Sequence, residues 1–147
     1  MDTPPLAPED AHRLAELVRQ VSREELLPRF ATVSREHKTD GSIVTVADQA
    51  MQQRLQEELR RHWPDFRLLG EEMDAADQEA LIRDPGPGLW VLDPLDGTSN
   101  FAAGIPYFSV SLALIRGGRV TDGLVYDPPR DEMFQASLGG GAGLNGR

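Results

Sequence analysis

Leu89-Trp90-Val91-Leu92 is an unbroken apolar run that stops at a carboxylate, Asp93. A second carboxylate, Asp96, follows across a proline turn, and Gly97-Thr98-Ser99-Asn100-Phe101 then reads as a helix start. A short apolar run bounded by such breaks suits a buried strand. A strand that ends in acids sets hard oxygen ligands at the edge of a rigid sheet. Mg²⁺ is held in such places by one or two carboxylates plus substrate phosphate. The hydroxyls and N–H groups that follow suit a phosphate oxygen at a helix N-terminus. The alternative is an ordinary strand–turn–helix in which Asp93 and Asp96 only cap.

Two further segments bear on that choice. Leu68-Leu69-Gly70-Glu71-Glu72 is another short apolar run that ends in carboxylates. Ser42-Ile43-Val44-Thr45-Val46-Ala47-Asp48 leads into a helical pattern. In their order and spacing, the three segments resemble the inositol monophosphatase family of Mg²⁺-dependent phosphomonoesterases. That family carries a lysine before a VTxAD-like segment, then GEE, then DPxDGTxNF. The matching residues here are Lys38, Val44 to Asp48, Gly70 to Glu72, and Asp93 to Phe101. The resemblance continues through Gly104-Ile105-Pro106, Val125-Tyr126-Asp127-Pro128, Gly141-Ala142 and Asn145-Gly146.

The resemblance implies a site. Glu71, Asp93 and the backbone carbonyl of Leu95 would hold one Mg²⁺, and Asp93 with Asp96 a second. Thr98, hydrogen-bonded to Asp48, would orient the water that attacks phosphorus, so that Asp48, Glu71 and Thr98 form the catalytic group. Lys38, Leu95, Asp96, Gly97, Thr98 and Ser99 would face the substrate, the N–H groups of Gly97 and Thr98 towards its phosphate. Glu72 reads as an outer or surface residue. The substrate implied is a small phosphomonoester, inositol monophosphate first. Other substrates in the wider family are histidinol phosphate, fructose bisphosphate and 3′-phosphoadenosine nucleotides. A reading from another class is a non-catalytic interaction protein, since some bacterial members bind the transcription machinery.

Family members run to roughly twice this length and supply another metal-binding aspartate from a later WDxAAG-like segment. Residues 8–147 are therefore expected to be the N-terminal half of a layered αβαβα sugar-phosphatase fold, with the C-terminal half absent. On this reading the isolated chain binds Mg²⁺ poorly, hydrolyses inositol monophosphate negligibly and self-associates. Strand residues Val110, Leu112 and Leu114, or the set that alternates with them, are expected to be partly exposed. The family resemblance also admits a homodimer.

Composition narrows the partners. A formal charge of −9 and a pI near 4.7 argue against a nucleic-acid partner, whose affinity comes from Lys and Arg neutralising phosphates. No cysteine is present, which excludes disulfides and thiolate metal sites. The first residues lack the basic and apolar regions of a signal peptide. No apolar run reaches membrane-spanning length, so the expected setting is cytoplasmic. An EF-hand loop needs a glutamate at its twelfth position, and counting from Asp93 the twelfth residue is Gly104.

Periodicity gives the elements. Residues 1–7 read as frayed. Ala11, Leu14, Leu17, Val18 and Val21 repeat at helical spacing after Pro8, and Ser22 to Glu25 forms a capping box at which the helix breaks or restarts. His12 falls on the solvated face. Thr32 to Gly41, with His37 and Lys38, reads as a loop. A second helix is expected from about Asp48 to Trp63, with Met51, Leu55 and Leu59 on one stripe and Asp48 as its possible N-cap. Further expectations are a strand over Phe66 to Leu69, a helix over Ala75 to Arg83, and strands over Leu89 to Leu92, Tyr107 to Ile115, Val120 to Tyr126 and Glu132 to Ala136. Gly117-Gly118 suits a hairpin turn, and Gly139 to Gly141 a flexible connection. The class is α+β: an N-terminal helix pair packed on a mostly antiparallel sheet.

Overall fold

The computed structural model describes residues 3–36, 41–71 and 73–147, and their side chains except those of 34–36 and 41–45. The chain runs α1 (Pro8–Glu25), α2 (Leu27–Glu36), α3 (Gly41–His62), β1 (Arg67–Gly70), α4 (Ala75–Arg83) and β2 (Leu89–Asp96), then α5 (Thr98–Ala102), β3 (Ser109–Arg116), β4 (Arg119–Asp127), β5 (Glu132–Ser137) and β6 (Gly141–Leu144). The strands form one sheet in sequence order. β1 runs parallel to β2, and every other pair is antiparallel. This is the expected α+β arrangement.

Strand alternation decides which face is covered. Trp90, Leu92, Val110, Leu112, Leu114, Leu124, Tyr126 and Met133 are buried. They form one core with Leu14, Leu17, Val18 and Val21 of α1 and Ala47, Met51, Leu55 and Leu59 of α3. The alternating set turns to the opposite face. There Ser109, Ser111, Ala113 and Ile115 are half-buried, and Val125 and Phe134 are exposed. Of the two sets named from sequence, Val110, Leu112 and Leu114 are thus the covered one.

Several boundaries differ from expectation, each for a local reason. Thr3–Ala7 is tied down: the buried carboxylate of Asp122 accepts from the Leu6 N–H at 3.1 and 3.2 Å. Ser22 makes no capping box. It is buried inside α1, and its hydroxyl donates to the Val18 carbonyl at 2.7 Å. The helix breaks at Leu26, two residues before Pro28, whose ring removes an N–H donor. Thr32 to Glu36 continues as α2, and α3 already begins at Gly41. Asp48 therefore lies inside a helix and is not its N-cap. The β-branched stretch from Ile43 to Val46 is helical because Ala47 and Met51 bury against the sheet, and packing overrides a weak propensity. His37 and Lys38 lie outside the described residues.

Asp93-Pro94-Leu95-Asp96 is not a turn after a strand but part of β2, with a register shift between Asp93 and Asp96. Proline has no ladder donor, and a bulge is where a central strand tolerates it. Gly139 to Gly141 turns tightly into an unexpected sixth strand, with the Gly140 N–H donating to the Ser137 carbonyl at 2.9 Å. The Gly-Ala-Gly-Leu sequence of β6 carries almost no β-propensity. Asn145 anchors it, accepting from the Met133 N–H at 2.8 Å. The Arg116–Arg119 hairpin turns as expected, with φ of 59° at Gly117 and 76° at Gly118.

Polar contacts lock the helices in place. Arg54 of α3 pairs with Glu24 at 2.9 Å and Glu25 at 2.8 Å, which fixes α3 along α1. The buried Tyr126 hydroxyl donates to Asp131 at 2.7 Å, and Arg19 of α1 donates to the same oxygen at 3.0 Å. Burial, then the Asp131 hydrogen bond and charge, push the phenol up to about 12. The hydrogen bond from Tyr126, then the Arg19 guanidinium, hold Asp131 below the usual carboxylate range. A phenol raised in the folded state contributes stability that is full below its unfolded pKa of about 10 and is lost as pH rises through the folded value. Tyr126→Phe is accordingly expected to lower stability near pH 7 by about 1 kcal/mol in urea denaturation. The wild-type advantage should shrink between pH ~10 and about 12. A pH-independent difference would contradict this origin.

Candidate functional site

The parallel pairing of β1 and β2 builds the site. Its last paired residues are Gly70 and Leu92. The next residues along, Glu71 and Asp93, therefore leave the register side by side. Glu71 is exposed and Asp93 half-buried, so both sit at a solvent-facing edge. The Asp93 carboxylate also accepts from the Leu95 N–H at 3.3 Å, which stiffens the bulge while the Leu95 side chain is buried in the core. Asp96 closes β2 opposite Ser109 and is exposed. Between Asp93 and Asp96 the register shifts, so that three steps along β2 match two along β3. Among the described residues no three His, Cys, Asp or Glu side chains gather to hold a metal ion. The register thus sets the backbones of Glu71 and Asp93 side by side at the end of β1, with Asp96 beyond the bulge on the same strand.

Gly97 turns the chain from β2 into α5. Its φ of 89° lies in the left-handed region. A Cβ there would meet the Tyr107 carbonyl oxygen at 3.0 Å and Phe108 Cα at 3.2 Å. Both the backbone angle and the space call for glycine. Thr98, half-buried, opens α5, and exposed Ser99 follows. The first N–H groups of a helix have no partner within it. α5 is held by an aromatic trio, Phe30 of α2, Phe101 and Phe108, with ring centroids 4.9 to 5.5 Å apart. Asn100 ties the following loop by donating to the Tyr107 carbonyl at 2.8 Å. α3, which carries Asp48, packs against α5, β1 and β2. The helix that carries Asp48 thus packs on the elements that carry Glu71, Asp93 and Thr98. Lys38 and Glu72 lie outside the described residues.

A cavity of about 490 Å³ runs from Asp96 and Gly97 past Tyr107 to Arg130 and Phe134. Arg130 pairs with Asp127 at 2.9 Å and lies over the Tyr107 ring. Sequence reasoning did not place these residues near Asp96. They come together only through the β3–β4–β5 register, which no local pattern encodes. A larger groove, about 570 Å³, lies between α1 and α3. Its Arg54 and Arg61 pair with glutamates, a solvated helix seam with no strand-end carboxylate.

Residues 8–147 match the model of the inositol monophosphatase family. The chain is 41% identical over 124 residues to the Nus factor SuhB of Pseudomonas aeruginosa, covering 82% of this chain and 44% of that protein. It is 40% identical over 110 residues to the inositol-1-monophosphatase of Rhizobium meliloti, covering 75% of this chain and 40% of that one. The crystal structure of the extragenic suppressor protein suhB from Bartonella henselae superposes with a TM-score of 0.74 at 31% identity, over 97% of this chain and 53% of that chain. The chain thus spans about half the length of the relatives it matches.

The turn at Gly97 can be tested directly. Gly97→Ala is expected to cost about 1–3 kcal/mol of stability through positive-φ strain and the close Tyr107 carbonyl. Thermal denaturation reads this as a lower Tm. An unchanged Tm would mean that the turn relaxes without strain.

Proposed function

The chain belongs to the inositol monophosphatase family, and we propose that the protein carrying it is a Mg²⁺-dependent phosphatase of a small phosphomonoester, inositol monophosphate first. The observation that supports this most is the pair Glu71 and Asp93 at the ends of adjacent parallel strands. With the Leu95 carbonyl they form an all-oxygen donor set, which suits a hard cation such as Mg²⁺. Mg²⁺ bound there would polarise the phosphoryl group and lower the pKa of a bound water.

The protein's own residues do the positioning. Glu71 and Asp93 fix where the phosphate docks. Asp96, beyond the bulge, belongs to a second cation position that needs a further carboxylate. The Asp48 carboxylate accepts a hydrogen bond from the Thr98 hydroxyl, so that the Thr98 oxygen orients the attacking water in line with phosphorus. The N–H groups of Gly97 and Thr98, with Ser99, face the phosphate oxygens, and Lys38 adds a cation beside them. Phosphate monoesters hydrolyse extremely slowly unaided, so fixed charges and dipoles at the developing negative charge supply the rate. Among the described residues no helix is long and apolar enough to cross a membrane, and the reading places the protein in the cytoplasm.

The word "Nus factor" in the name of the Pseudomonas aeruginosa relative favours one second reading, a non-catalytic interaction protein. Phosphate release in excess Mg²⁺ separates the two. In the protein that carries residues 1–147, Glu71→Gln and Asp93→Asn are each expected to lower kcat by about 100-fold or more. Glu79→Gln, an exposed carboxylate on α4, should leave it unchanged. Full turnover by either site variant would overturn the assignment.

A further inference from the structure

Glu71 follows the last residue of β1 and is exposed, so burial does not fix it and polar contacts must. Gln78 of α4 supplies two. Its Nε2 donates to the Gly70 carbonyl at 3.0 Å and to the Glu71 carbonyl at 3.3 Å. These carbonyls belong to the two peptide groups that flank the Glu71 Cα. Two planar peptide groups joined at one Cα turn against each other only through that residue's φ and ψ. A single carboxamide bound to both carbonyls therefore restrains both angles, and with them the direction of the Glu71 Cα–Cβ bond. Met73 ties the same strand end: its N–H donates to the Gly70 carbonyl at 3.3 Å, and its sulfur accepts from the Gly70 N–H at 3.2 Å. α4 itself buries none of its residues. Asp74 caps its start by accepting from the Ala76 N–H at 3.1 Å, which sets Gln78 one turn further on, against β1.

We propose that Gln78 is a positioning residue for the cation site: by holding both peptide groups that flank Glu71, it presets the direction in which the Glu71 side chain leaves the sheet edge beside Asp93. The inference rests on the Mg²⁺ reading above. A ligand ordered beforehand loses less freedom on binding, and that saving appears as affinity. Partners that orient metal ligands from the next layer typically change metal affinity by 10–100-fold when lost. Gln78 acts through Glu71 and not on the cation or the substrate.

The test uses the protein that carries residues 1–147. Mg²⁺ alone is titrated and followed by calorimetry, and hydrogen exchange of the Met73 N–H is read without metal. Gln78→Met keeps the side-chain length and the helix propensity but removes the donor. Leu81→Ala trims an apolar residue with which α4 lines a cavity beside Phe66, Leu68 and Trp90, and it leaves the carboxamide in place. Gln78→Met is expected to weaken Mg²⁺ binding by about 10-fold or more and to speed exchange at Met73, while Leu81→Ala keeps near-wild-type affinity. Wild-type affinity in Gln78→Met would overturn the role of Gln78 and leave the Mg²⁺ reading intact, whatever happens to its exchange or Tm. Equal losses of affinity in the two variants would trace the effect to the docking of α4 and would also overturn it. No Mg²⁺ binding by the unmutated protein would overturn both the proposal and the reading it rests on.

Discussion

Everything at the candidate site depends on one short parallel pairing. β1 has only four residues, and alone it could slip. A shift of one residue would turn every side chain to the other face and part Glu71 from Asp93. Three neighbours prevent that. The Arg67 N–H donates to the Gly88 carbonyl at 2.9 Å and sets the start of the strand. Gln78 of α4 donates to the Gly70 carbonyl at 3.0 Å. Gln52 of α3 packs on the Gly70 Cα. Trp90 adds weight from β2, its ring 5.4 Å from Trp63 and 5.9 Å from Phe66.

The second constraint is the bulge at Pro94. It lets β2 bury Leu92 and Leu95 in the same core while sending Asp93 and Asp96 to solvent-facing positions. A regular strand could not alternate in that way. Gly97 then reverses the chain, and the Phe30–Phe101–Phe108 cluster holds α5 against α2 and α3. Rigid apolar packing on one side of the sheet thus places polar groups on its edge.

The sequence was most legible where chemistry and period agree. Leu89 to Leu92 followed by Asp93, the Ala75–Arg83 helix, the Gly117-Gly118 turn and the stripe Met51, Leu55, Leu59 all carry their structure in local pattern. It was least legible where distant contacts decide. The fate of Leu6 depends on Asp122, and β6 exists because Asn145 and β5 hold it. The helical start of α3 overrides a β-branched stretch. At the site, the two acid-ended apolar runs are the neighbouring strands β1 and β2. The continuation of β2 through Pro94 to Asp96 was not legible, because a proline after a carboxylate signals a turn as readily as a bulge.

The central claim is that Glu71 and Asp93 together hold a divalent cation. Diffraction from crystals of the protein soaked in Mn²⁺, a Mg²⁺ stand-in, locates such an ion by its anomalous signal. The account predicts a peak between the two carboxylates, within about 2–2.5 Å of an oxygen from each, as oxygen-ligated divalent cations require. A peak elsewhere in the protein, or none at this corner in saturating Mn²⁺, would contradict it.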